Sequence, residues 1–281
     1  MRGMRILSAL IISAVALLST VGTTAPPLYS VHALRFASAP YDVKNLVAGA
    51  TAGRSIDIAF TIWVVRGGGK TILVDAGFYR DKFIQQWKPV GYSKPSDALS
   101  TQLGIKPEDV TDIIVTHSHW DHMDGVDLFP RAKIWIQKEE YSYYIGDDGS
   151  RAHTGGVDAI DAPMLFKLNG EARVNLVDGD AKEILPGISV YTGGKHTFAS
   201  QFVGVTTSAG TVVLASDNAY LYENLEGKLA IAQTLDAASN VAAQARMLTL
   251  AAAPKFVIPG HDPAVFTRFP VSTTGVAEIV K

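Results

Sequence analysis

The chain has 281 residues, 47% of them hydrophobic, and a formal net charge of −2. That length and apolar content support one large or two small domains with a real core, and the charge argues against nucleic acid as a partner, because no basic face compensates phosphate. There are no cysteines, so disulfides, thiolate zinc sites and cysteine nucleophiles are excluded, and any bound metal must be held by imidazole and carboxylate.

The first segment has the pattern of an export signal. Arg2 and Arg5 form a positive n-region, Ile6 to Leu18 an apolar h-region, and Val31-His32-Ala33 fits an A-x-A-like cleavage site. The competing reading is a membrane anchor, because Ser19 to Val21 bring the run near spanning length. The expectation is a signal peptide over residues 1–33 and a single domain over 34–281. The mature protein is then periplasmic or secreted, with no stable membrane insertion.

Residues 34 to 53 carry a weak signal, the start of a strand and then a loop around Pro40 and Gly49. Ile56 to Val65 alternates and is rich in Ile, Phe, Trp and Val, so it predicts a strand. Gly67-Gly68-Gly69 then turns the chain into a second strand, Thr71 to Val74. Gly69-Lys70-Thr71 looks like the end of a phosphate-binding loop, but Val64 stands where that motif's first glycine belongs, and strands surround it. It is read as a hairpin turn. Asp75-Ala76-Gly77 places an aspartate where it can support a site from behind its ligands or cap a helix. Residues 78 to 94 predict a loop or short helix over the mouth of a site. Ser96 caps a helix through Leu103, and Ile113-Ile114-Val115 is a buried strand by length and β-branching.

That strand delivers the densest feature of the chain, Thr116-His117-Ser118-His119-Trp120-Asp121-His122. Side chains alternate along an extended segment, so His117 and His119 point the same way. Asp121 and His122 follow as the chain turns and can face a neighbouring point. One segment can therefore supply two adjacent metal positions.

Beyond it, Lys133 to Ile136 is a strand, and Lys138 to Tyr144 is a helix whose three tyrosines are read as packing. Residues 146 to 156 form a loop with an exposed His153, and a helix follows around Val157 to Leu168. Val174 to Val177 is a strand that turns at Asp178-Gly179-Asp180, and Ile188 to Tyr191 is a strand delivering Gly193-Gly194-Lys195-His196. Gln201 to Thr207 and Thr211 to Ala215 form a hairpin that delivers Ser216-Asp217. Asp236 caps an alanine-rich helix through Ala252. Lys255 to Ile258 is a strand delivering Pro259-Gly260-His261-Asp262, and the remainder is an edge segment. The pattern favours two sheets packed face to face with helices outside, and each candidate ligand lies just past an apolar strand.

The His-Ser-His-Trp-Asp-His run, followed in order by His196, Asp217 and His261, resembles the metallo-β-lactamase fold superfamily over about Ile56 to Asp262, with Asp75-Ala76-Gly77 matching its first strand-end motif. Within it, Asp217-Asn218-Ala219-Tyr220 followed by Gly260-His261-Asp262 is similar to the N-acyl homoserine lactonases, which carry a tyrosine three residues after the bridging aspartate. The resemblance implies an α+β fold, a four-layer αβ/βα sandwich of two mixed sheets with helices outside. It implies that His117, His119 and His196 hold one divalent metal ion, that Asp121, His122 and His261 hold a second, and that Asp217 bridges them. Zn²⁺ is the first expectation, with Mn, Fe or Co also compatible.

The implied reaction is opening of a lactone ester, a small-molecule substrate, by a metal-bridging hydroxide, with Tyr220 stabilising the oxyanion and Asp121 carrying a proton to the leaving alkoxide. Trp120 and Phe198 are candidates for an apolar wall, and Phe198 serves equally as core packing. The chain departs from many relatives in having Gly194-Lys195 where they have Pro-Gly, and in Met123 and Asp124 after the main motif. Lys195 is read as pointing to solvent. The alternatives are another exported hydrolase of this fold (an arylesterase, an organophosphate triesterase or a β-lactamase) and a metal-binding protein without catalysis. A homodimer is left open.

Overall fold

Two sheets organise residues 25–281, the part of the chain that the computed structural model describes. The h-region expected over Ile6 to Leu18 lies outside the described residues. The strands of the larger sheet are β1 (Ser30–Asp42), β2 (Ser55–Gly67), β3 (Lys70–Val74), β4 (Asp112–Ile114), β5 (Lys133–Gln137) and β6 (Val174–Val177). Those of the smaller sheet are β7 (Lys182–Leu185), β8 (Ile188–Thr192), β9 (Gln201–Thr207), β10 (Gly210–Ser216) and β11 (Val257–Pro259). The chain then returns to the larger sheet as β12 (Val271–Thr273) and β13 (Val276–Val280). The spatial orders are β12-β13-β1-β2-β3-β4-β5-β6 and β11-β10-β9-β8-β7. β3 to β6 run parallel, as do β10 and β11, and the other pairs are antiparallel.

Successive side chains on a strand point to opposite faces, and this sorts the larger sheet onto two cores. Trp63, Val65, Ile72, Val74 and Ile114 pack with Ile188, Val190, Val205 and Leu214 of the smaller sheet. Ile62, Val64, Leu73, Ile113 and Ile134 pack with Leu99, Met123, Tyr141 and Leu165 from helices on the other side. Met247 of the helix Ala237–Leu250 covers the far face of the smaller sheet. The result is helix, sheet, sheet, helix, the expected four-layer arrangement. Because both faces of β2 are covered, Ile58 to Val65 is buried without interruption, rather than half-buried as its alternation suggested. Among the described residues, no helix is long and apolar enough to cross a membrane.

Several local expectations are corrected. Residues 34 to 53 do not merely begin a strand. β1 starts at Ser30, ahead of the expected cleavage point, with Val31 paired to both Val65 and Val280. A cut after Ala33 would remove buried, paired residues from this strand, so the structured domain starts before Leu34. The final segment is not all edge, because β13 lies between β12 and β1. The helix expected to be capped by Ser96 begins at Pro95, with Lys94 as its N-cap residue. β7 was not anticipated; its Lys182 and Glu183 are exposed and carry no apolar pattern. The glycine-rich turn is a hairpin: Gly68 and Gly69 take φ of 57° and 74° between the paired residues Gly67 and Lys70, as a two-residue turn matched to strand twist requires.

The loop after β3 is anchored behind the histidine motif by Arg80. Its guanidinium reaches the Asp124 carboxylate, Asp127 at 3.1 Å and Asp161 at 3.3 Å, while Asp124 accepts the Tyr79 and Arg80 backbone N–H groups. Asp161 is fully buried with Oδ2 unpartnered. Burial, then the neighbouring Asp124, pushes its pKa up to about 9. An unfolded aspartate titrates near pH ~3.9, so between there and about pH 9 the folded chain binds the extra proton and this group's contribution to stability declines as pH rises. Asp161→Asn should flatten that slope. Denaturant melts across pH 5 to 9 should show the variant gaining on the parent chain towards alkaline pH; an unchanged slope would contradict the assignment.

Candidate metal centre

Each expected ligand leaves the scaffold where a strand ends. β4 runs into Thr116 and His117, and His119 stands at the N-cap of the short helix Trp120–Met123, which carries Asp121 and His122. The loop after β8 brings His196, β10 ends at Ser216 before Asp217, and β11 ends at Pro259 before His261. All seven residues come together. His117, His119, His196 and Asp217 form one group and Asp121, His122 and His261 another, with the ligand atoms of each group within 4.8 Å of one another.

Asp217 faces both groups. Its Oδ2 lies 3.3 Å from His196 Nε2 and 3.6 Å from His117 Nε2, and its Oδ1 lies 3.0 Å from His261 Nε2 and 3.3 Å from His122 Nε2. On the first side, His119 Nδ1 is 3.1 Å from His117 Nε2 and 2.9 Å from His196 Nε2. On the second, Asp121 Oδ2 is 3.5 Å from His122 Nε2 and 3.6 Å from His261 Nε2.

The outward nitrogen of every ring has an oxygen beside it. His122 Nδ1 meets Asp75 at 2.8 Å, His196 Nδ1 meets the Gln233 carbonyl at 2.8 Å, and His261 Nδ1 meets the Ala59 carbonyl at 3.0 Å. His117 Nδ1 lies 3.0 Å from Thr116 Oγ1, and His119 Nε2 lies 3.3 Å from the Gly155 carbonyl. Acceptors outside leave lone pairs inside, which is how metal-ligating imidazoles are held. His122 Nε2 and Asp217 Oδ1 are buried and make no hydrogen bond of acceptable geometry. Buried polar atoms left in this way demand a partner, and a cation between them supplies it. The donor set therefore fits divalent metal.

Electrostatics support the same assignment. Burial, then the neighbouring His122 and His196, holds His117 well below the ordinary imidazole range, and burial with His196 lowers His119 to about 4, so both rings are neutral. Burial opposes charge on His122 and His261 as well, but Asp217, followed by other carboxylate contacts, outweighs it and raises both. Asp217 itself is held well below the carboxylate range because His122 and His261 outweigh its burial. The carboxylates thus favour positive charge at these two histidines, brought by a proton or by a cation.

Asp75 supports the site from behind, as expected. It is fully buried, accepts from the Thr116 N–H at 2.8 Å, Thr116 Oγ1 at 2.9 Å and Ser216 Oγ at 3.0 Å, and orients His122. Asp75, Lys195 and Ser216 take left-handed φ of 61°, 59° and 48°, so the backbone is strained beside the ligands. Lys195 does not face the metal groups; its Nζ donates to the Phe198 carbonyl at 2.8 Å. At Gly260 a Cβ would lie 2.8 Å from the Ser216 carbonyl carbon, so only glycine lets β11 deliver His261 this close to β10.

A cavity of about 150 Å³ opens above the groups, walled by Tyr41, Leu46, Ile58, Phe60, Trp87 and Trp120, with Asp121, Asp217 and Tyr220 on its polar side. Trp120 takes its expected place in the wall. Phe198 does not line the cavity; it stacks on Tyr143 with ring centres 3.9 Å apart, and His153 stacks on the other side at 4.1 Å. Tyr143 is thus part of an aromatic stack near the centre. Tyr220 is 4% exposed, and its hydroxyl has only two long contacts, 3.5 Å each, to His196 Nδ1 and Gln233 Oε1. Burial, then Asp217 and Asp121, raises its pKa well above the ordinary phenol range, so it stays protonated.

Sequence reasoning missed Gln201, whose side chain donates to the Val115 carbonyl at 2.7 Å, and Asn218, which accepts from the Gly194 N–H at 2.7 Å. Both are amides whose burial no local pattern announces.

A model of the metallo-beta-lactamase superfamily matches residues 61–261. The chain belongs to that superfamily, and here the fold brings together His and Asp groups that could hold metal ions. It is 30% identical over 132 residues to an N-acyl homoserine lactonase of Bacillus cereus, a match covering 47% of each chain, so it spans about half the length of the curated lactonases it matches. It is 28% identical over 247 residues to metallo-beta-lactamase domain-containing protein 1 of Xenopus laevis, covering 84% of this chain and 85% of that one. The crystal structure of a quorum-quenching N-acyl homoserine lactone lactonase shares the fold with a TM-score of 0.71 at 21% identity, covering 86% of this chain and 96% of that one.

Metal at His122 and His261 competes with the protons that the neighbouring carboxylates favour there. Zn²⁺ titrated into chelator-stripped chain at neutral pH should release protons, seen as heats that vary with the buffer's ionisation enthalpy. Asp217→Ala should lower metal content by elemental analysis. Unchanged content would remove Asp217 from the ligand set.

Proposed function

We propose that the chain is a dinuclear metal-dependent hydrolase that opens lactone esters of the N-acyl homoserine lactone kind. The observation that carries this reading is the division of Asp217, one oxygen towards His117 and His196 and the other towards His122 and His261, beneath a cavity with a protonated Tyr220 at its edge. Divalent ions held there supply Lewis acidity and lower the pKa of water from about 15.7 towards about 7.

The chain's own residues do the rest. Trp87, Trp120, Phe60 and Leu46 exclude water and hold the apolar acyl part of the substrate. Tyr220 Oη donates to the ester carbonyl oxygen as negative charge develops on it; its two intramolecular contacts are long, so little is given up when it turns to substrate. The Asp121 carboxylate, beside His122 and His261, takes a proton from the attacking water and passes it to the departing alkoxide. The similarity to homoserine lactonases supports the substrate class. Zn²⁺ suits the imidazole-rich first group. The charged and apolar start of the sequence supports action in the periplasm or after secretion.

Turnover of a γ-lactone, an aryl ester, a β-lactam and a phosphotriester by the metal-replete chain tests the reading. The lactone should be the preferred substrate, and preference for either of the last two would overturn it. Tyr220→Phe should lower kcat by roughly 10²–10³-fold, the usual effect of losing one oxyanion donor, with metal content unchanged. Unaltered turnover would remove the role given to that hydroxyl.

A further inference from the structure

One buried charge near the metal centre is tied to two ligand-bearing loops. Glu140 lies on the short helix Lys138–Tyr144, is fully buried, and has no cationic partner among the described residues. Its Oε1 accepts from the Ser118 N–H at 3.0 Å, Ser118 Oγ at 2.7 Å and Thr197 Oγ1 at 2.7 Å, and its Oε2 accepts from the Ala199 N–H at 2.7 Å. Ser118 lies between His117 and His119, and Thr197 follows His196. One carboxylate therefore fixes the flanks of all three imidazoles in the first group.

The same helix braces the second loop twice more. Tyr144 Oη accepts from the Phe198 N–H at 3.2 Å, and the Tyr143 ring stacks on Phe198 with an interplanar angle of 1°. The backbone N–H of Gln201 donates to the Thr116 carbonyl at 2.8 Å, which joins the loops one step further from the ligands. Nearer the ligands, Glu140 joins the tips of the loops, beside the 2.9 Å approach of His119 Nδ1 to His196 Nε2.

We propose that Glu140 is the positioning residue of the first metal position, holding His117, His119 and His196 in register through Ser118, Thr197 and Ala199. This rests on the metal-centre reading above. The counterpart on the other side is Asp75, which orients His122 directly. Each metal position then has a buried carboxylate behind it, one acting on a ring nitrogen and one on the backbone that carries the rings, and Asp75 also holds Thr116 Oγ1 beside His117 Nδ1. Burying a carboxylate is costly unless hydrogen bonds satisfy it, and here every bond that does so comes from a residue adjoining the site. Glutamine at this position removes the charge and presents an NH₂ group to at least one N–H or O–H that now donates to the carboxylate.

The full chain loaded with cadmium and observed by cadmium NMR reads the two positions separately, because a position rich in imidazole nitrogen and one richer in oxygen resonate apart. In Glu140→Gln the signal of the imidazole-rich position should broaden or vanish, and competitive titration with a chromophoric chelator should show affinity at that position reduced about 10–100-fold. The other signal and the unfolding temperature of the metal-free chain should be retained. Asp75→Asn should perturb the opposite signal more strongly, with a smaller effect on the first signal through Thr116 and His117. If Glu140→Gln does not fold, the paired Ser118→Ala and Thr197→Val substitutions remove two hydroxyl donors and should weaken the same position by a smaller factor.

Both signals at parent affinity in folded Glu140→Gln, or equal loss of both with a lowered unfolding temperature, would overturn the proposal. A parent chain that takes up no cadmium would overturn the metal-centre reading and this proposal with it. A parent chain that binds cadmium at both positions but turns over no lactone leaves the positioning role standing and removes only the substrate assignment.

Discussion

The centre depends on a carboxylate presented edge-on between two clusters of imidazole. Among the described residues, Asp217 is the only one whose two oxygens are divided between them, and its burial makes that division costly unless positive charge sits on both sides. The carboxylates favour a proton on His122 and His261 on one side, while the rings of His117 and His119 are held neutral and keep their lone pairs. The site is thus a balance between cations of two kinds, hydrogen and metal, drawn by the same negative field. The acceptors outside the rings settle which nitrogen faces in, so the geometry is committed before any ion arrives.

The scaffold provides this geometry through the ends of strands. Parallel strands β3, β4 and β5 end at the same rim, and β10 and β11, the one parallel pair of the smaller sheet, end opposite them. Side chains anchored just past such ends are held by ladder hydrogen bonds on one side and are free to converge on the other. Strain accumulates there, in the left-handed backbone at Asp75, Lys195 and Ser216. At Lys195, the bond from its side chain to the Phe198 carbonyl helps to hold the turn.

Much of this was legible from the residues. The His-Ser-His-Trp-Asp-His run needs only the alternation of an extended segment to suggest convergent rings, and β-branched runs announced β4, β8, β10 and β11. The division of ligands between two groups came from resemblance, because spacing in sequence does not say which loops meet. β1 carries a weak signal because Ala33, Ala37, Ala39 and Pro40 are weak strand formers; its place between β2 and β13 overrides that weakness. Glu140 was invisible for a different reason. Beside Lys138 and Glu139 it looks like solvated helix surface, and only the approach of Ser118 and Thr197, far away in the chain, converts it into a buried acceptor. The sequence around Phe198 suits the wall as well as the core; its stacking on Tyr143 depends on a tertiary contact of the same kind.

The position of β1 carries a consequence for how the molecule is made. Val31 is paired with Val280, a contact that spans almost the whole described length. Contacts that distant in sequence slow folding, since the intervening chain must be ordered before they form. Until β13 docks, one side of β1 exposes unpaired amide and carbonyl groups to any passing chain. The waiting intermediate is therefore the form most exposed to aggregation, and a chaperone that shields an open strand edge would raise the yield of the folded protein.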